Sequence, residues 1–77
     1  MITYKSTSGK DSGVEAFEIK ADSITVKFKK EIQRYLYTYS SAGRKVIELM
    51  KSLALANNGL STFISQNDPK YERKFYP

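Results

Sequence analysis

The sequence predicts a small α+β domain: an antiparallel β-meander of three strands, four if residues 2–4 join it, packed against one long amphipathic helix and a short C-terminal helix. Three observations predict it. Apolar and polar residues alternate between Phe17 and Phe28, the period of a half-buried strand. A tyrosine-dense run from Ile32 to Tyr39, with Thr38 inside it, suits a pleated surface. Beyond that run the apolar spacing becomes helical, with Val46, Leu49, Met50 and Leu53 falling at i, i+3, i+4 and i+7.

In chain order, Ile2 to Tyr4 reads as a short strand, and residues 5–13, rich in Ser, Thr, Gly and Lys, read as a flexible lead-in without apolar periodicity. Within it Ser8-Gly9-Lys10-Asp11-Ser12 glances at a phosphate-binding loop, but Tyr4 and Asp11 stand where that loop needs a glycine and a hydroxyl residue, so it reads as a turn. Phe17 and Ile19 mark the next strand. Lys20-Ala21-Asp22-Ser23 then makes a tight turn, because Asp and Ser side chains hydrogen-bond their own backbone. Ile24, Val26 and Phe28 claim one face of the following strand and leave Lys27 on the other. Lys29-Lys30-Glu31 links it to the tyrosine-rich strand.

Ser40-Ser41 offers a hydroxyl to start the long helix, whose polar side carries Arg44, Lys45, Glu48 and Lys51. Asn57-Asn58-Gly59 ends it, since glycine takes the left-handed conformation of a helix stop. Ser61 is placed to cap a second helix over Thr62 to Gln66, with Leu60, Phe63 and Ile64 packing back. Residues 70–77 lack apolar periodicity and read as a partly disordered tail.

Composition narrows the function. At 77 residues the chain is one domain, 1–77, and with Cys 0 and His 0 it has no thiol nucleophile, imidazole base, disulfide or zinc ligand set. The eight carboxylates are scattered, without the clustering a Ca²⁺ or Mg²⁺ site requires. No enzyme, catalytic residue, metal or cofactor is expected. No leader pattern and no long apolar run stand in the sequence, so a cytoplasmic protein without membrane contact is expected. Lys+Arg 13 against Asp+Glu 8 gives a formal charge of +5, which attracts polyanions and also suits a merely well-dispersed surface.

The candidate site is the run Arg34-Tyr35-Leu36-Tyr37-Thr38-Tyr39. In a strand Tyr35, Tyr37 and Tyr39 share one face at intervals of roughly 6.5–7 Å. Rings on which bases stack, beside cations that follow the phosphates, are the working parts of single-stranded nucleic-acid platforms. Lys27, Lys29, Lys30 and Arg34 are the cations nearest in sequence, and RNA or single-stranded DNA is the expected partner. The pattern leaves two facings open: if Ile32 and Leu36 meet the helix the tyrosines face out, and if the tyrosines meet it Arg34 and Leu36 are exposed. An outward aromatic face equally suits a protein partner or a homodimer. The Lys70, Tyr71, Arg73, Lys74, Phe75 and Tyr76 cluster has the composition of further strand or phosphate contacts.

These segments, in this order, resemble the KTSC domain. The residues that carry the resemblance are the Ser-led first strand from Ser12 to Ile19, the strand Ile24-Thr25-Val26-Lys27-Phe28, the central Tyr35-Leu36-Tyr37, the amphipathic helix, and Gly59-Leu60-Ser61-Thr62-Phe63-Ile64. Ser40-Ser41-Ala42-Gly43 stands where that family carries Val-Pro. The resemblance implies an α+β domain and suggests RNA binding.

Overall fold

In a computed structural model, which describes residues 2–4 and 13–76, the alternation from Phe17 to Phe28 folds as a hairpin. Its arms are β2 (Val14–Lys20) and β3 (Ser23–Phe28), joined at Ala21-Asp22 with Lys20 directly opposite Ser23. A bulge between Val14 and Ala16 inserts Glu15. It lets Val14 keep the same face as Phe28 while Ala16 faces the other way with Lys27. The lead-in expected at residues 5–13 lies, up to Ser12, outside the described residues.

Two further strands extend the meander. On one side β1 (Ile2–Thr3) pairs with β2, and on the other β4 (Arg34–Thr38) pairs with β3. The expected strand from Ile32 to Tyr39 is thus shorter at both ends: Ile32 is exposed beyond the 28–31 turn, and Tyr39 has entered a helix. A fifth strand, β5 (Arg73–Phe75), pairs antiparallel with β4, so the segment read as a tail closes the sheet in the order β1-β2-β3-β4-β5. Glu72 N–H donates to Leu36 O at 2.6 Å and fixes that register.

Thr38 ends β4 and starts α1 (Tyr39–Ala42) through a reciprocal cap: Ser41 N–H donates to Thr38 Oγ1 at 3.1 Å, and Thr38 N–H donates to Ser41 Oγ at 3.0 Å. Gly43, at φ 93°, then breaks the helix so that α2 (Arg44–Leu55) restarts in a new direction. The buried stripe of α2 is Ile47, Met50 and Ala54, flanked by Val46 and Leu53. Leu49, expected in that stripe, is 45% exposed, because it lies about 100° around the helix from Met50 and Ile47 takes the inward place.

Gly59, at φ 84°, redirects the chain into α3 (Leu60–Asn67), which is longer than expected and begins without a side-chain cap. Ser61 Oγ instead accepts from Gly13 N–H at 3.1 Å, tying the helix to the start of β2. Leu60 is fully buried, and its N–H donates to the Tyr4 hydroxyl at 3.1 Å.

The core lies between one sheet face and the helices: Tyr4, Val14, Phe17, Ile24, Val26 and Tyr37 meet Ile47, Met50, Ala54 and Leu60. Among the described residues no helix is long and apolar enough to cross a membrane.

Candidate nucleic-acid interface

Strand register decides which face each candidate residue occupies. Tyr35 is opposite Val26 and Tyr37 opposite Ile24, so both rings share the helix-covered face. Tyr37 is only 2% exposed and belongs to the core, and Tyr35 packs against that core. Of the two facings the sequence left open, the tyrosines-inward one is found. The ladder expected to present Tyr35, Tyr37 and Tyr39 as stacking groups is therefore corrected. Burial of an aromatic ring under a single helical layer gains more than its exposure, and the flanking Val26 and Ile24 had already claimed that face.

Tyr39 is not a rung of the strand at all. From the first turn of α1 its hydroxyl donates to Glu48 Oε2 at 2.6 Å and lies 3.1 Å from Ala21 O, while Lys51 Nζ reaches Ala21 O at 2.8 Å and Glu48 Oε2 at 2.9 Å. This network fastens α2 to the β2–β3 turn. The Glu48 contact raises the Tyr39 phenol above its ordinary value, and the hydrogen bonds from Tyr39 and then Lys51 hold the Glu48 carboxyl below its own.

The cations fare differently. Lys27 and Arg34 are direct cross-strand partners, and Phe75 is the next residue across from Arg34. The row Ala16, Lys27, Arg34, Phe75 thus runs across the sheet on the face away from the helices. Parallel to it runs Glu18, Thr25, Leu36, Arg73. Arg73 lies on the ring of Phe75, its guanidinium carbon 5.7 Å from the centroid. Lys29 and Lys30 stand in the turn that joins β3 to β4, at the same end of the sheet. Lys27 and Arg34 are therefore brought together on one face, with Lys29 and Lys30 in the turn at the same end of the sheet, and Arg73 and Phe75 join that face from β5.

The face is mixed in charge at its margins. Lys27 Nζ pairs with Glu15 at 2.8 Å and Lys20 with Glu18 at 3.8 Å. Glu72 Oε1 accepts from Thr38 Oγ1 at 3.0 Å. Arg34 and Arg73 form no ion pair among the described residues, and Arg34 Nε is shielded from solvent without a hydrogen-bond partner among them. A shielded guanidinium nitrogen lacking an acceptor carries a desolvation cost.

A concavity opens on the opposite side of the sheet. It is an open depression of about 210 Å³ between β4, the C-terminal end of α3 and the 69–71 segment, and is lined by aromatic rings with Glu31 and Asp68. Tyr35 O–H donates to Glu31 Oε1 at 2.8 Å. Burial, and then that carboxylate, push the Tyr35 phenol up to about 12. Burial followed by the neighbouring Tyr35 raises Tyr37 further. The tyrosine alternation announces the two central rings of this cleft and Glu31 lies four residues from Tyr35, but the wall Tyr71 and the second carboxylate, Asp68, come from segments distant in sequence.

Comparisons with family models, with curated proteins and with solved structures find no match.

Proposed function

We propose that the protein is a non-catalytic, cytoplasmic module that binds RNA or single-stranded DNA across the face of its sheet that points away from the helices. The observation that carries this reading is the cross-strand row Lys27, Arg34, Phe75, reinforced by Arg73. Arg34 and Arg73 supply phosphate contacts, Lys29 and Lys30 extend the positive field past the end of the sheet, and Phe75 offers one ring for a base. Stacking on such a ring contributes about 1–3 kcal/mol per base. Support for a KTSC-like kinship, which is part of the same proposal, lies in the order of elements and in the short motifs quoted above.

The tyrosines now act behind the interface. Tyr35 and Tyr37 anchor β4 to the core, which holds Arg34 in register with Lys27. A protein-interaction reading through an exposed aromatic ladder loses its premise, since Tyr37 is buried.

The test is fluorescence anisotropy of labelled single-stranded RNA and DNA oligonucleotides at low salt. Arg34→Gln with Arg73→Gln should weaken binding at least tenfold, and Phe75→Ala should weaken it by the stacking contribution. Absence of binding at low salt, or equal affinity of the doubly substituted protein, would sink the proposal.

A further inference from the structure

The cleft behind the sheet has a composition at odds with the rest of the molecule. In a chain of formal charge +5, its lining carries Glu31 and Asp68 and no Lys or Arg. Its walls are rings that turn through successive right angles: Phe28 to Tyr35 at 87°, Tyr35 to Tyr71 at 88°, and Tyr37 to Tyr71 at 87°, with centroids 5.2, 4.8 and 6.3 Å apart. Rings set at right angles line the cleft in different planes, and a cation is attracted to whichever electron-rich ring face it can reach.

We propose that this cleft binds a methylated ammonium group, the head of a choline-type molecule or of a trimethylated lysine side chain. The site is independent of the nucleic-acid face, on the other side of the sheet.

Size and chemistry select this ligand class. At about 210 Å³ the cleft falls below the roughly 300–1,000 Å³ of pockets that take drug-sized molecules, so it accepts a head group only. A hard metal cation needs about six oxygens, and two carboxylates line the cleft. A bare ammonium is strongly hydrated and needs an acceptor for each N–H, a cost that walls made mostly of rings offset poorly. A methylated ammonium has little hydration to lose and offers its methyl groups to ring faces.

The parts are held in place. Asp68 N–H donates to Ile64 O at 2.9 Å as it closes α3, setting its side chain at the rim, and the Tyr35 hydrogen bond orients Glu31. Lys74, opposite Tyr35 on β5, already rests its ammonium 5.5 Å from the Tyr35 centroid. That contact shows the ring engaging a cation within the chain, and it makes Lys74 a competing charge.

The experiment is a proton NMR titration of the whole protein with tetramethylammonium chloride, choline and trimethyllysine amide. The neutral carbon isostere of choline and potassium chloride at matched ionic strength serve as comparisons. The expected result is a saturable upfield shift of the N-methyl resonance, caused by the rings, that the isostere does not reproduce. Tyr71→Ala should weaken binding by about three- to thirtyfold, the range for one lost cation–π wall. Tyr71→Phe keeps the ring and should hold affinity within about twofold, Glu31→Gln should weaken it, and Lys74→Gln should tighten it. Preference between choline and trimethyllysine amide tells whether a free molecule or a modified side chain is the better source of the head group, and either preference supports the cage. An isostere that binds as tightly as choline, a lack of saturable shift with every cation, or affinity indifferent to both Tyr71→Ala and Glu31→Gln would overturn it. The oligonucleotide assay is unaffected by any of these outcomes.

Discussion

Tyr37→Ala and Leu36→Ala, adjacent substitutions on opposite faces of β4, should differ sharply in cost. Tyr37 is 2% exposed among Ile24, Ile47 and the rest of the core cluster, so its truncation resembles a buried aromatic-to-alanine change of about 3–5 kcal/mol. A 77-residue domain has only about 4–12 kcal/mol to lose at 0.05–0.15 kcal/mol per residue. At the low end of that range, such a cost would leave Tyr37→Ala largely unfolded. Leu36 is partly exposed on the face away from the helices, and its truncation should cost about 1 kcal/mol or less. Tyr37→Phe keeps the packed ring and no hydrogen bond of the hydroxyl stands among the described residues, so it should fall within about 1 kcal/mol of the parent. Urea denaturation followed by circular dichroism and tyrosine fluorescence measures all three. Equal costs for Leu36→Ala and Tyr37→Ala, or a larger one for Leu36→Ala, would refute the assigned facing.

Three further outcomes follow from individual contacts. Because Tyr35 titrates near 12 in the fold against 10.0 unfolded, its contribution is fully present below about pH 10 and fades as pH rises to about 12; alkaline unfolding midpoints should shift when Tyr35 is replaced by Phe. Tyr39→Phe removes the largest influence holding down the Glu48 carboxyl, so carboxylate NMR titration should find its midpoint moved upward toward 4.5. Thr38→Ala removes one half of the reciprocal cap of α1 and the contact to Glu72, and should cost about 0.5–2 kcal/mol in urea denaturation, with Thr38→Ser recovering most of it.

The elements with strong local signals were legible in the sequence. The turn at Ala21-Asp22 follows from side chains that bond their own backbone, and the breaks at Gly59 and Asn57-Asn58 follow from glycine's freedom at positive φ. The facing of β4 was not legible, because Arg34-Tyr35-Leu36-Tyr37 alternates two half-apolar sets. The choice is made by Val26 and Ile24 across the strand pair, which is a matter of long-range register. For the same reason β5 was hidden: Arg73–Phe75 is three residues long, two of them charged, and becomes a strand only because β4 offers it an edge. Lys27, Lys29, Lys30 and Arg34 were each visible as cations. Their gathering at one end of the sheet depended on a pairing that composition does not encode.

The arginine-bearing sheet face away from the helices is the centre of the functional reading, and the salt dependence of single-stranded oligonucleotide affinity tests it most directly. Each cation that meets a phosphate contributes about 0.7 to the slope of log affinity against log salt on a single strand. Arg34→Gln with Arg73→Gln should flatten the slope by about 1.4 relative to the parent, while Tyr37→Phe, altered only on the covered face, leaves it unchanged. A slope indifferent to both arginines would contradict the reading.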